Sequence, residues 1–456
     1  MGKPSLDDLR ERVRGDVITP EDADYDDART VYNAMIDRRP AAVVRGANAG
    51  DAMSTVDYAR ENGLDLAVRG GSHSVPGYGT CDGGVVLDFS RLRGVHIDPA
   101  ARTARVDPGA TWGDFNAAGY AFGLATTGGI ISTTGVTGLT LGGGFGHLAR
   151  GAGLTSDNLR SADVVTADGR FLVANEDEHA DLFWALRGGG GNFGVVTSLD
   201  FRLTPVKDIY AAMLFYEPDE AATVLRFYRD FITGAPRQLG LFPGFHRAPP
   251  LPFIPENRHG DAFLALFCCW AGPLDEGEQM LRPLREVAPV VAEFAGPMPY
   301  PALNQAFDGL LPPGLQQYWK GVFVTELTDA AIAAHVEHGP RIPTVNSAVH
   351  LYPINGAAHD PAPDATAWSY RDATFAAVIA GAWPDPADNE ANTAWVRDYY
   401  AAIAPHSEEG GYVNFMAGDD AHRTRANYRG HYDRLADVKR AYDPENLFHL
   451  NQNIVP

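Results

Sequence analysis

His73 closes a short turn, Val68-Arg69-Gly70-Gly71-Ser72-His73-Ser74, which follows an apolar strand pattern. Such a turn exposes consecutive backbone N–H groups that can cradle phosphate oxygens. The plainer alternative is a tight turn whose histidine is simply satisfied by its surroundings. A second stretch, Gly128 to Gly146, holds eight glycines in nineteen residues, mixed with Ser132, Thr133, Thr134 and Thr137. Ile130, Ile131, Val136, Leu139 and Leu141 lie between them and argue against a disordered linker. The expectation is a chain lying flat against a large ligand. A third segment, Leu154-Thr155-Ser156-Asp157-Asn158-Leu159, is short and polar. No GxGxxG opens a βαβ unit with an acidic residue about twenty positions on, so Rossmann-style nucleotide binding is not expected.

Further along, Ser347-Ala348-Val349-His350-Leu351-Tyr352-Pro353-Ile354-Asn355 alternates polar and apolar residues. As a strand it puts His350, Tyr352 and Ile354 on one face. A neutral imidazole titrating near about 6.5 suits proton abstraction at neutral pH. A hydrogen-bonded strand histidine is the alternative. Tyr78, Phe245, His246, Tyr318 and Trp319 are candidates for a pocket wall, and core packing is equally open for the aromatics among them.

The elements that must position these groups alternate between helix and strand. The opening ~35 residues read as helix, loop and helix, with Ser5 and Asp8 as a capping pair. Residues 40–47 read as a strand, 51–63 as a helix ending at Gly63, and 64–71 as a strand entering the His73 turn. Short strands follow over 85–110, then a helix from Thr111. Residues 160–174 read as a hairpin turning at Ala167-Asp168-Gly169. Beyond Pro205, amphipathic helices and strands alternate with Pro-rich connections, which suggests a second α+β layer.

Composition narrows the partners. The 456-residue chain carries a formal net charge of −21, which argues against nucleic acid or an anionic membrane. Three cysteines, Cys81, Cys268 and Cys269, are too few for a disulfide framework and read as buried small hydrophobes. No metal-ligand spacing is present, so no metal site is expected. The N-terminus lacks an apolar signal region, and no apolar stretch approaches about 20 residues, so a cytoplasmic location is expected.

Together the segments AVRGGSHS, GLTLGGGFGHLARGAGLTSDNL, LFWALRGGGGNFGVVT and YDPENLFHLNQNIVP resemble the berberine-bridge-enzyme-like FAD-linked oxidases of the vanillyl-alcohol-oxidase / p-cresol-methylhydroxylase superfamily. The likeness covers nearly the whole chain in order. It implies an α+β, two-domain flavoprotein: an FAD-binding domain over 1–206, a substrate-binding domain over 207–408 lying over the flavin, and a segment 409–456 returning to the first domain. It implies FAD bonded covalently to His73 within Arg69-Gly70-Gly71-Ser72-His73-Ser74, with Ser72 departing from the family's glycine. The family's second anchor, a cysteine, falls at Ile131, so a single link is expected. Thr134 falls beside the flavin C4a, where a small side chain admits oxygen; the alternative is a hydroxyl that satisfies the loop backbone.

Further cofactor contacts are implied at Tyr78, Gly129, Ser132, Thr133, Gly135, Gly138, Gly142, Gly143, Gly144, Gly146, Leu154, Val195, Tyr412, Asn451 and Asn453. Asp157 and Asn158 match a pair near the adenosine diphosphate, or else cap a turn. His350, Tyr352 and Asn414 are the catalytic candidates. The implied reaction removes a hydride from a small to medium organic substrate (an alcohol, sugar, amine, polyketide or phenolic) and reduces O2 to H2O2, in a monomer or homodimer. A dehydrogenase and an oxygenating flavoenzyme of the same fold are the alternatives.

Overall fold

The computed structural model describes residues 6–456. Ser5 therefore lies outside the described residues. The opening region differs from the helix-loop-helix reading. Helices Leu6–Arg12 and Tyr25–Arg29 flank a strand, Asp16–Ile18, which pairs antiparallel with Ala42–Arg45. Three residues are too few for alternation to show in sequence.

That strand edges a four-stranded sheet in which Ala42–Arg45, Val85–Asp88 and Leu66–Arg69 run parallel. The crossover helix Ala49–Asn62 is capped by the Asn48 side chain and ends at Gly63 with φ 59°. Leu66–Arg69 therefore delivers the chain straight into the His73 turn. A second, antiparallel sheet takes five strands, with Val195–Arg202 central between Thr103–Val106 and Leu159–Val165. Its hairpin Leu159–Val165/Phe171–Asn175 turns through Gly169 at φ 79°. The third sheet has seven antiparallel strands, all within residues 208–383. Strands Leu239–Arg247 and Ala348–Pro353 neighbour one another in it, with Gly244 opposite His350.

The C-terminal helix Tyr432–Tyr442 packs back onto the N-terminal half. Leu435 and Val438 share a core with Leu182, Phe183 and Phe193. Its fixing point is a buried ion pair. Lys439 Nζ reaches Asp443 at 2.6 Å and donates to the carbonyls of Asn192 and Phe448. Asp443 also accepts the N–H groups of Leu447 and Phe448. Both side chains are fully buried, so removing one partner strands the other charge. Lys439→Met is expected to lower stability by about 3–5 kcal/mol, read as an earlier urea midpoint. No loss of stability would show that this pair does not hold the tail.

Candidate active site

One cavity of about 380 Å³ runs between the glycine loops and the seven-stranded sheet. At one end lies the His73 turn. Gly71 and Gly135 meet backbone to backbone: a Cβ on Gly71 would sit 2.3 Å from the Gly135 nitrogen. This contact is why both positions are glycine, and it locks the first loop to the second. Ser72 takes φ 60°, the left-handed region. That conformation costs a non-glycine residue roughly 1–2 kcal/mol, partly offset by glycine's greater chain entropy. Ser72→Gly is expected to raise Tm by about 1–2 °C, as thermal unfolding would show. An unchanged or lower Tm would mean Ser72 makes a compensating contact.

His73 is clamped on both sides. Its Nε2 lies 2.9 Å from Thr133 Oγ1 and its Nδ1 lies 3.3 Å from Thr134 Oγ1. The Tyr32 ring stacks on it at 3.7 Å. The ring is half-buried on the cavity wall, and desolvation lowers its pKa to about 3. The imidazole is therefore neutral and keeps a lone pair. Ile131 lines the same cavity, whereas Cys81, Cys268 and Cys269 are buried elsewhere and none of them lines it. Arg69 lines the wall, but its guanidinium is already paired with Asp88 at 2.8 Å and is buried.

At the other end, His350 and Tyr352 do share a strand face. Tyr352 Oη lies 2.7 Å from His350 Nδ1, and His350 Nε2 lies 2.7 Å from His246 Nε2. All three are buried side chains on the cavity wall. Desolvation, with the neighbouring histidines adding to it, holds His350 well below 6.5. Desolvation alone lowers His246 to about 4. It also raises the Tyr352 phenol above its ordinary value. The set is neutral, and each of its two bonds carries one proton. In one of the two neutral tautomer arrangements Tyr352 O–H donates to His350 Nδ1 and His350 Nε2–H donates to His246 Nε2. A proton entering at Tyr352 can thus be handed on to His246 without any ring moving.

The cavity gathers Arg69 through Ser74, Tyr78, Gly129, Thr134, Gly135 and Gly138. It also takes in Tyr412, Asn414, Asn451 and Gln452 from the C-terminal segment. Several expected cofactor contacts fall elsewhere. A Cβ on Gly142, Gly143, Gly144 or Gly146 would strike Asn414, Trp368, Thr155 or the Gly128 carbonyl, so these glycines serve chain packing beside the cavity. Ser132 binds Asp308 through its N–H and hydroxyl, and Thr133 reaches the site through His73. Leu154 and Val195 are buried in the core, and Asn453 lies off the wall.

Asp157 caps the Leu154 N–H at 2.9 Å and pairs with the buried Arg371 at 2.8 Å. Asn158 donates to the Ala152 and Leu154 carbonyls. Both side chains are thus engaged with the turn that surrounds them. Asn414, expected as catalytic, uses its amide nitrogen to hold the Leu139 carbonyl and the Tyr412 hydroxyl. Tyr412 in turn accepts the Gly144 N–H.

Sequence reasoning passed over Tyr32, Asn304 and Asp308. Asn304 donates to the Gly129 carbonyl at 2.7 Å, so the substrate-side chain grips the glycine loop. Nothing local marks these residues, because each acts across more than forty positions of chain. His246 was visible only as one of several possible wall residues.

The cavity fits a flavin nucleotide on three observations. Gly138 and Gly191 have nothing within 4 Å of a built Cβ, which leaves open wall on the side a large flat group would take. The buried acceptors Asn451 Oδ1 and Gln452 Oε1 have no partner. Among the described residues, the N–H groups of Gly71 through Ser74 have no backbone carbonyl partner. No group of three or more His, Cys, Asp or Glu that could hold a metal occurs among them either. Among the described residues, no helix is long and apolar enough to cross a membrane.

The fold and site define an FAD-dependent oxidoreductase. Residues 40–175 match the FAD binding domain model, and residues 411–455 match the berberine and berberine-like model. The chain belongs to the berberine-like FAD-linked oxidoreductases. It is 32% identical to (R)-6-hydroxynicotine oxidase of Paenarthrobacter nicotinovorans, over 97% of each chain. It is 30% identical to an uncharacterised FAD-linked oxidoreductase of Bacillus subtilis, over 98% of each. The crystal structure of 6-hydroxy-D-nicotine oxidase from Arthrobacter nicotinovorans superposes with a TM-score of 0.86 at 28% identity, covering 97% of this chain and 98% of that one.

Proposed function

We propose that this protein is an oxidase whose FAD is held by one covalent bond from His73 and whose electrons pass to O2. The observation that carries the reading is the single cavity joining the neutral His73 at one end to the Tyr352–His350–His246 file at the other. His73, the N–H groups of Gly71 through Ser74, Gly135, Gly138, Asn451 and Gln452 would hold the flavin. Bound FAD supplies two-electron redox capacity. The absence of a thiol from the cavity wall supports one link rather than two.

The chain's own part is positioning and proton handling. A substrate O–H placed against Tyr352 gives its proton to the phenol oxygen as the phenol proton moves to His350 and the His350 proton to His246. The substrate also loses one hydride, so it gives up two electrons and two protons in all. One O2 takes these and leaves as H2O2. Thr134 supports oxygen access because its side chain is small and is drawn back onto His73.

The test reduces the holoenzyme anaerobically and mixes it with air-saturated buffer. Reoxidation within seconds, with one H2O2 per flavin, is expected. Reoxidation over many minutes would make the protein a dehydrogenase, and labelled oxygen found in product would make it an oxygenating enzyme.

A further inference from the structure

We infer that Tyr32 is the positioning residue for the flavin anchor: its ring fixes the plane of the His73 imidazole, and a strap of chain from Tyr32 to Ala34 holds that ring in place. This rests on the proposed attachment of FAD to His73 and names what orients the histidine for it.

The χ2 torsion of histidine is broad, so a half-buried imidazole beside a large cavity can swing its nitrogens off any one target. Bond formation needs one lone pair held in line with the reacting carbon. That lone pair lies in the ring plane, so whatever fixes the plane aims the nitrogen. Thr133 and Thr134 meet the two nitrogens at 2.9 and 3.3 Å, on the ring edge. Both contacts are hydroxyls, which rotate to follow a moving partner. Tyr32 holds the face instead. Its ring centroid lies 3.7 Å from that of His73, with the planes 27° apart. Rotation of the imidazole about its Cβ–Cγ bond would drive its edge into the tyrosine ring.

A stacked ring is a firm wall only if it is itself held. Tyr32 N–H donates to the Ser72 carbonyl at 3.3 Å, on the peptide that leads into His73. The Tyr32 carbonyl accepts the Gly314 N–H at 3.2 Å, and the hydroxyl donates to the Leu311 carbonyl. Burial raises the phenol above its ordinary range, so the hydroxyl keeps the proton that this bond uses. Asn33 continues the strap. Its amide nitrogen donates to the Val75 carbonyl at 2.7 Å and to the Gln317 carbonyl at 2.9 Å, while its oxygen accepts the Gln317 N–H at 2.9 Å. Ala34 N–H donates to the Leu315 carbonyl at 2.9 Å. One set of these bonds ends on the His73 turn. The other ends on the chain entering Gln316–Val324, a strand of the seven-stranded sheet. Tyr32 is thus pinned between the two sides of the cavity, and Leu311 lies on its wall.

Forming the bond joins one imidazole nitrogen to the flavin 8α-carbon. One hydrogen leaves that carbon and one leaves the imidazole. Their two protons and two electrons pass to the flavin ring and then to O2, the acceptor in the proposed oxidase, as H2O2. Tyr32 takes no part in this transfer.

The test compares Tyr32→Phe and Tyr32→Leu with the wild-type holoenzyme. Each is kept with excess FAD in air-saturated buffer and sampled over time for the share of bound flavin that survives acid precipitation. Phenylalanine keeps the ring face and loses the hydroxyl. Leucine keeps apolar bulk without a flat face, and Tyr32→Met repeats the test if the leucine variant does not fold. The phenylalanine variant is expected to match the wild-type covalent share. The leucine variant is expected to bind FAD but to attach it about 10–100-fold more slowly than the phenylalanine variant. A tyrosine that only packs would weaken the fold in both variants without separating their attachment rates. Equal attachment in the leucine and phenylalanine variants, fast or slow, therefore overturns the inference. So do leucine and methionine variants that bind no FAD at all, since Tyr32 would then hold the site together rather than orient His73. Wild-type flavin that washes out on denaturation would sink the attachment to His73 itself, whatever the variants do.

Discussion

Tyr352→Phe is expected to slow the reductive half-reaction by about 10²–10⁴-fold while the protein stays folded and yellow. The phenol is the group through which the His350–His246 pair can receive a substrate proton, and phenylalanine keeps the ring packing against Phe242 and Phe145. The loss should fall on the rate of anaerobic flavin reduction rather than on substrate affinity.

The pH dependence follows from the same burial. His350 and His246 are both lowered from about 6.5, so both are neutral through the physiological range. The wild-type reduction rate is expected to show no imidazole break near pH 6.5 and to fall only as His246 takes up a proton near pH 4. Stability follows the same sign. A histidine whose folded pKa is depressed contributes fully above about 6.5 and loses that contribution as pH falls below it. A rate unaffected by loss of the hydroxyl, or a clear break at pH 6.5, would remove Tyr352 and the histidine pair from the proton path.

His73→Ala is expected to convert a flavin that survives acid precipitation into one that washes out. The wild-type pellet should be yellow and its intact mass should include one FAD. The variant pellet should be white, with the flavin in the supernatant. The Gly71–Gly135 contact and the Tyr32 side of the clamp do not depend on the imidazole for their backbone geometry, so the variant should retain a loop able to bind FAD without a bond. Flavin lost from the wild-type protein on denaturation would mean that His73 is not an anchor. Flavin retained by the denatured variant would mean that another residue carries the bond.

Much of this was written in the chain itself. Gly70 and Gly71 were legible because a turn that must touch another backbone admits no Cβ, and that restriction shows directly as residue type. The pairing of His350 with Tyr352 was legible because a strand's period of two fixes which residues share a face. Helix Ala49–Asn62, with its Asn48 cap and Gly63 stop, obeyed equally local rules. Asp157 and Asn158 were legible as types but not as roles, since a carboxylate that caps a turn and one that faces a nucleotide carry the same letter. What the tertiary structure adds is the pairing of Asp157 with Arg371.

Tertiary structure alone brought His246 against His350 from a neighbouring strand, 104 positions away. It set Tyr32 on His73 across 41 positions and packed Gly142, Gly143, Gly144 and Gly146 against Asn414, Trp368, Thr155 and the Gly128 carbonyl. It also buried the Arg69 guanidinium, beside the His73 turn, against Asp88. Local propensity reads a few residues at a time. The neutrality of the His73 and His350 ends depends on which side chains exclude water from them, and that is settled when distant segments pack together. The sequence by itself determined that a histidine stands at the glycine turn; the packing around it determined that the histidine is neutral, clamped and joined by one cavity to the groups that can move a proton.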